Sequence, residues 1–279
     1  MSYSKFKPQV WAQIIDRELK KNLVFGMLAN RNYQGLIQNE GDSVKIPSIS
    51  AVTIQDYTGA DLTFSEDEGN EQIIQIDKAK AFAIVMDDVD KAQAVNGVMD
   101  LRTQNAVYRM ADAVDAELAK LESKVKKRIT CTLGTDKVSQ KIIDLSVALD
   151  ESNVPTTGRW LVISPATYGE LIKEIPTIST GENTFEVNKT YYVGEWAGFS
   201  IYKSNNVVYD NSGKTYKNLG GITPGITLAM QLNKIDAGKF EKSFKEYVKG
   251  LNLFGCDVLE TDLSAHKTEY LAAFDVVMP

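Results

Sequence analysis

Residues 42–80 limit what this chain can fold into more than any other stretch. Val44, Ile46, Val52 and Ile54 recur at even positions on the way out, and Ile74, Ile76, Phe82 and Ile84 on the way back. Spacing of this kind predicts strands. Between them lie turn formers and acids, with Asp56, Asp61, Phe64, Glu66, Asp67 and Glu68 in or beside the turn. The simplest arrangement is a long hairpin whose arms, at ~12 residues and ~3.3 Å per residue, reach ~40 Å. A two-stranded ribbon of that length cannot bury its own apolar side and is barely stable alone. It needs another surface, and a second copy of the chain is the natural one.

Two helical patterns flank the ribbon. Within the first 35 residues Trp11, Ile14, Ile15, Leu19 and Leu23 fall at helical spacing. Lys5, Lys7, Arg17, Lys20, Lys21 and Arg31 against Asp16 and Glu18 make this segment +4. Basic, amphipathic and bounded by Gly26 and Gly35, it reads as an arm that docks on something. The second pattern is the longest in the chain. Over residues 99–126, Val107, Met110, Ala111, Val114, Leu118, Leu121 and Val125 repeat at steps of three and four with no Gly or Pro after Met99. Its stripe is narrow, so this helix is expected to lie across a surface. It ends in Lys124, Lys126, Lys127 and Arg128, which complement a negative helix terminus and could equally face phosphate.

A compact α/β region follows. Residues 138–149 read as a helix, the run from Arg159 as a buried strand, Pro165 as the first turn of a helix, and Gly194 to Asn205 as a strand with its approaching turn. The final third alternates β segments with loops. The class is α+β, with no internal repeat and no low-complexity linker.

Little in the chain suggests catalysis. Net charge is −6, against a dedicated nucleic-acid binder. Cys131 and Cys256 lie far apart and outside any CxxC pair, and His266 is the one histidine, so no Cys/His metal cluster can form. Asp87, Asp88 and Asp90 lack the glycine and distant glutamate of a calcium loop and are expected to cap a short helix. There is no GxSxG, no phosphate-binding GxxxxGK[ST] and no HExxH. No stretch approaches the ~20 apolar residues of a membrane span, and the N-terminus has no apolar signal core. The expectation is a non-enzymatic, cytoplasmically made protein without cofactor, metal or membrane.

The order of segments carries a resemblance. Val10-Trp-Ala-Gln, Arg31-Asn-Tyr-Gln-Gly, Gly41-Asp-Ser-Val-Lys-Ile-Pro and Asp77-Lys-Ala-Lys-Ala-Phe-Ala-Ile-Val-Met-Asp-Asp-Val-Asp form its most specific part. Arg159-Trp-Leu-Val-Ile-Ser-Pro, Gly198-Phe-Ser-Ile-Tyr-Lys-Ser-Asn and Val248-Lys-Gly-Leu-Asn-Leu-Phe-Gly support it. Over nearly its whole length the chain resembles the major capsid proteins of tailed bacteriophages, which have the Hong Kong 97-like fold. The resemblance implies an N-terminal arm (1–41), an extended β-hairpin loop (42–80), a peripheral domain (81–135) with a spine helix (99–126), an axial domain (136–225) and a return to the peripheral domain (226–279). It implies self-assembly into hexamers and pentamers of an icosahedral virion shell around phage double-stranded DNA. The shell would be built in the host cytoplasm with a portal protein, with or without a decoration protein.

Inter-subunit contact is then expected at the loop tip (Asp56, Asp61, Phe64, Glu66, Asp67, Glu68) and at the arm (Trp11, Lys20, Lys21, Arg31). Lys124, Lys126, Lys127 and Arg128 are candidates for non-specific contact with the genome. Residues 36–100 carry thirteen acids against four lysines, net −9, so the acidic tip is expected to meet basic residues such as Lys20, Lys21 or Arg31 of a neighbour. The arm pattern begins almost at Met1, so a separately encoded scaffolding protein is expected. An encapsulin-like nanocompartment shell is the alternative within the same fold. An enzyme lacks a placed nucleophile, and a tail or adhesion protein would lack the ~28-residue helix.

Family members that weld their shells use a loop lysine to form an isopeptide bond. No lysine stands between Ile46 and Asp77. Purified particles are therefore expected to give one monomer band on a denaturing gel, and a covalent ladder would refute this.

Overall fold

The computed structural model describes residues 23–32, 43–48, 70–87, 98–174, 192–240, 245–260 and 269–278. The first half holds α1 (Val24–Leu28), β1 (Ser43–Ser48), β2 (Asn70–Gln75), β3 (Lys78–Asp87), α2 (Val98–Ala119), β4 (Arg128–Thr132) and α3 (Val138–Asp150). The second half holds β5 (Arg159–Ile163), α4 (Pro165–Glu174), β6 (Tyr192–Trp196), β7 (Phe199–Lys203), β8 (Val208–Asp210), β9 (Thr215–Ile222), β10 (Ile226–Lys239), β11 (Lys245–Val258) and β12 (Leu271–Val277). Helices and sheets mix without strict alternation, an α+β fold.

The strands form three sheets: the pair β1-β2, the triplet β10-β11-β3, and a seven-stranded sheet ordered β4-β12-β9-β5-β7-β6 with β8 on β9. In the large sheet β4-β12 and β5-β7 are parallel, and the other pairs are antiparallel. Every residue of β5 is buried, because both faces of this sheet are covered. Trp160 and Val162 point into one cluster with the α2 stripe, while Leu161 and Ile163 point into another with α3 and α4. A strand covered on both sides needs an unbroken apolar run, and Trp160-Leu-Val-Ile supplies it.

α2 lies where the sheets meet. Val107, Met110, Ala111, Val114 and Leu118 are each at most 5% exposed and pack with Leu228, Met230 and Phe254 of the triplet and with Leu219 and Leu271 of the large sheet. The helix tightens to a 3-10 turn over Lys120–Lys124, and Val125 leaves in extended backbone. It is therefore shorter than its apolar pattern, since Leu121 and Val125 stay buried outside α-geometry.

Two expectations change in the structure. Phe82 and Ile84 do not belong to the hairpin. The chain breaks at Ile76 and Asp77, and β3 pairs with β11 instead, from Lys245↔Asp87 to Phe254↔Lys78. Asp87 is the last residue of β3, not the opening of a helix, while Asp88 and Asp90 lie outside the described residues. The large sheet also draws β4 and β12 together with strands from 136–225.

α3 has no side-chain cap of its own. The Glu174 carboxylate at the end of α4 fills that role, accepting the backbone N–H groups of Val138 (2.9 Å) and Ser139 (2.8 Å). Burial works against its charge, but the Ser139 and Val138 hydrogen bonds outweigh it and hold this carboxyl below its usual range. Glu174→Ala is expected to lower stability by about 1 kcal/mol at neutral pH, the usual scale for a lost cap. A depressed carboxyl contributes above its unfolded pKa of 4.5. The difference from wild type in urea melts should therefore shrink as pH falls through the lower folded value.

Candidate functional site

The segments expected to carry contacts begin at the ribbon. β1 and β2 pair in unbroken antiparallel register from Ser43↔Gln75 to Ser48↔Asn70. Val44, Ile46, Ile74 and Ile76, each at most 5% exposed, pack on Ala229 of β10 and Leu253 of β11. Gln72 fixes this docking: its Nε2 donates to the Val258 carbonyl at 2.7 Å, and its Oε1 accepts the Glu260 N–H at 3.1 Å. Gly255 permits it, because a Cβ there would lie 2.3 Å from the Gln75 carbonyl oxygen. The root of the ribbon is thus buried on its own body, against the expectation that the ribbon lacks intrachain support. The long hairpin pattern concealed that the β10-β11 face supplies the missing layer. Asp56, Asp61, Phe64, Glu66, Asp67 and Glu68 lie outside the described residues.

The arm is likewise tied down where it enters the body. Leu23, Val24, Phe25 and Leu28 are buried, and Asn30 bridges β10 by donating to the Ile226 carbonyl (2.7 Å) and accepting from the Leu228 N–H (2.9 Å). The start of α1 has no cap from its own sequence. Asp115, in the middle of α2, accepts the N–H groups of Phe25 (2.7 Å) and Gly26 (3.4 Å) on one oxygen and the Asn206 amide on the other (3.2 Å). Burial pushes this carboxyl up to about 6 even though Asn206, Phe25 and Gly26 favour its charge. Arg31 donates Nε to the Gly26 carbonyl at 2.7 Å, while Trp11, Lys20 and Lys21 lie outside the described residues.

The basic run after α2 is occupied within the chain. Lys124 pairs with Asp257 at 2.6 Å. Lys127 donates to the Ala148 carbonyl at 2.6 Å and to the Ser152 hydroxyl. Arg128 spans Glu122 (2.5 Å) and Asp275 (3.0 Å), and Lys126 also has a partner. Glu122, 3% exposed, carries Lys217 as well at 3.3 Å. Lys124 and Arg128 therefore staple β11, β4 and β12 to the end of α2, Lys127 ties the same run to the end of α3, and the charge of Lys124 and Arg128 is partly offset.

A different cluster gathers uncompensated charge. Glu117 of α2 meets Lys120 at 2.9 Å, Lys78 at 3.4 Å and Lys80 at 3.9 Å. The Lys120 hydrogen bond, opposed by burial and aided by Lys78, holds its carboxyl below the usual range. One carboxylate faces three ammonium groups, a local balance of +2. Neither this cluster nor Asp115 is visible as a motif. The one available signal for Asp115 was an acid on the stripe of Ala111, Val114 and Leu118.

Among the described residues no group of three His, Cys, Asp or Glu side chains converges as a metal site. Cys131 and Cys256 are free and buried, and burial raises both thiols, Cys131 to about 11. No helix is long and apolar enough to cross a membrane.

Neither a family model nor a curated protein sequence matches the chain. Solved structures do. A Mycobacterium phage Che8 protein is 20% identical, with TM-score 0.68 over 90% of each chain. The capsid of Ralstonia phage GP4 is 10% identical, with TM-score 0.68 over 89% of this chain and 86% of that one. A virus-like particle from Pyrococcus furiosus is 12% identical, with TM-score 0.57 over 95% and 98%. The chain has the fold of phage capsid proteins.

The Asp115 cap makes a checkable statement. An acid raised in the folded state, from 3.8 to about 6, holds a proton that the unfolded chain has released. Stability from this group therefore falls as pH rises from about 4 to 6, by ~3 kcal/mol at ~1.36 kcal/mol per pH unit. Asp115→Asn keeps an acceptor for Phe25 and abolishes that dependence. Urea melts should show the variant gaining on wild type between pH 4 and 7, and parallel pH profiles would contradict the assignment.

Proposed function

We propose that this chain is a major capsid protein of a tailed bacteriophage, the repeating subunit of an icosahedral shell. The supporting observation is the likeness of fold to phage capsids, which extends over about nine-tenths of both chains. In this reading the fold is Hong Kong 97-like. Residues 1–41 are the arm, 42–80 the extended loop, α2 the spine, 81–135 and 226–279 the peripheral domain, and 136–225 the axial domain. The described structure suits such a part. The ribbon root and the arm root are both fixed to the body.

The finer reading goes beyond the fold. Subunits close into hexamers and pentamers, their contacts running through the loop tip (Asp56, Asp61, Phe64, Glu66, Asp67, Glu68) and the arm (Trp11, Lys20, Lys21, Arg31). The shell forms in the bacterial cytoplasm on a separately encoded scaffolding protein, closes around a portal, and encloses double-stranded DNA. Lys124, Lys126, Lys127 and Arg128 are the genome-facing candidates. The carboxylate partners of Lys124 and Arg128 would weaken any phosphate contact there, so it would be non-specific and salt-sensitive. The subunit has a structural role, not a catalytic one.

The Pyrococcus furiosus virus-like particle supports a second reading, a nanocompartment shell of the encapsulin type. Expression with the neighbouring genes, followed by negative-stain microscopy and nuclease-protection assays, separates the two. Closed icosahedral particles that protect DNA are expected. Particles that hold a cargo protein and no DNA would favour the nanocompartment, and discrete small oligomers would overturn both.

A further inference from the structure

β3 and β11 bring one buried polar group under a patch of positive charge. Along β11 the side chains alternate between the two faces. Phe254 and Cys256 pack with the α2 stripe, so Asn252 faces α2 as well. It stands directly opposite Lys80 of β3 and is 0% exposed. Among the described residues neither its Oδ1 nor its Nδ2 has a hydrogen-bond partner. A buried amide left in that state is costly, and native interiors seldom keep one without a partner. Directly opposite residues hold their Cβ atoms ~4.5–5.5 Å apart, so the Asn252 amide and the Lys80 stem share one site.

The charges beside it are unevenly matched. Lys120 meets Glu117 at 2.9 Å, whereas Lys78 stands at 3.4 Å and Lys80 at 3.9 Å, longer than the ~2.7–2.9 Å of a good charge-assisted hydrogen bond. Each ammonium carries several donors on a flexible stem, and a single carboxylate cannot occupy them all. Lys78 directs one at Cys256 Sγ, 3.5 Å away and a weak acceptor. Lys80 and Lys120 are exposed, so the cluster opens to solvent. We propose that a phosphate group binds here, held by Lys78, Lys80 and Lys120 and by the N–H of the Asn252 amide.

The chemistry favours phosphate over a protein carboxylate. A local balance of +2 matches an ion of up to two negative charges, and its oxygens, spread in space, engage donors that arrive from β3, α2 and β11. Lysine binds phosphate as a point charge, and Asn252 adds the one directional donor. Glu117 gathers the lysines and also repels the ligand, which keeps the affinity modest. A phosphate group comes either as the free ion or as part of a nucleic-acid backbone. The site stands apart from the shell reading, and only the second source rests on it, because that reading brings double-stranded DNA to the chain.

Thermal melts of the full chain test the site. The midpoint is expected to be about 3 °C higher in sodium phosphate at ~10 times its dissociation constant than in sodium chloride of equal ionic strength. Lys80→Gln with Lys120→Gln removes the part owed to the site, since general salt effects act on both proteins alike. Glu117→Gln should tighten phosphate roughly tenfold, a gain that a purely structural ion pair would not give. Asn252→Leu should keep or raise the midpoint in chloride while weakening phosphate, and a lower midpoint in chloride overturns the role of the amide. Far-UV circular dichroism establishes that each variant folds. Binding of a fluorescent DNA duplex then separates the sources. A salt slope reduced by about 1–2 in Lys80→Gln with Lys120→Gln assigns the backbone, and unchanged DNA binding beside a lost phosphate shift assigns the free ion. Equal phosphate shifts in wild type and the lysine variant overturn the site and leave the shell reading standing. Wild-type protein that forms only small oligomers overturns the shell reading and the DNA source without touching the site.

Discussion

From Leu253 to Val258 β11 is covered on both faces, and most of the molecule is arranged around that fact. Its even positions Phe254, Cys256 and Val258 lie under α2, and Leu253 at an odd position lies under the ribbon. At ~1.5–3 kcal/mol for each large apolar side chain taken from water, this double burial outweighs any surface ion pair in the structure. It fixes α2 against one side, docks β1-β2 on the other, and leaves β3 as the exposed flank. Gly255 lets the ribbon backbone come close, and Gly250 makes room for the Phe82 ring, whose Cε1 would lie 2.4 Å from a Cβ at that position.

Two helices whose starts lack a local cap show how charge is distributed over this frame. Glu174 reaches α3 from the end of α4, and Asp115 reaches α1 from the middle of α2. Both accept two backbone N–H groups, yet their carboxyls move in opposite directions. The difference is depth. Asp115 is 1% exposed and loses its hydration, so its hydrogen bonds do not recover the cost of the charge. Glu174 keeps part of its hydration, and the same kind of bond prevails. Asp115 therefore binds the arm root to α2 through a group close to its titration point, whereas α3 is held by a settled charge.

The sequence made some of this legible for identifiable reasons. The 3.6-residue stripe from Val107 to Leu118 predicts α2 because one face of that helix is buried and the other is not. The Trp160-Leu-Val-Ile run predicts β5 because both of its faces are covered. The hairpin root was legible in the same way. Its far boundary was not, because Ile74, Ile76, Phe82 and Ile84 share one parity although the chain changes sheets at Ile76. A period of two reports burial without naming the partner strand. Asp87 read as a helix start because acids favour that position, but pairing with Lys245 holds it in β3. The basic run after α2 was visible as charge, while its partners Asp257, Glu122 and Asp275 are brought in from distant segments.

The root of the ribbon shows how such a frame holds an extended pair of strands. Gln72, Gly255 and the Val44-Ile46-Ile74-Ile76 layer fix β1 and β2 to the β10-β11 face through two hydrogen bonds, one close backbone approach and four buried side chains. A two-stranded ribbon that would be marginal alone is thereby stable, because the sheet beneath it supplies the apolar layer it lacks. Strength lies in the buried frame around β11, and the ribbon root borrows its order from that frame.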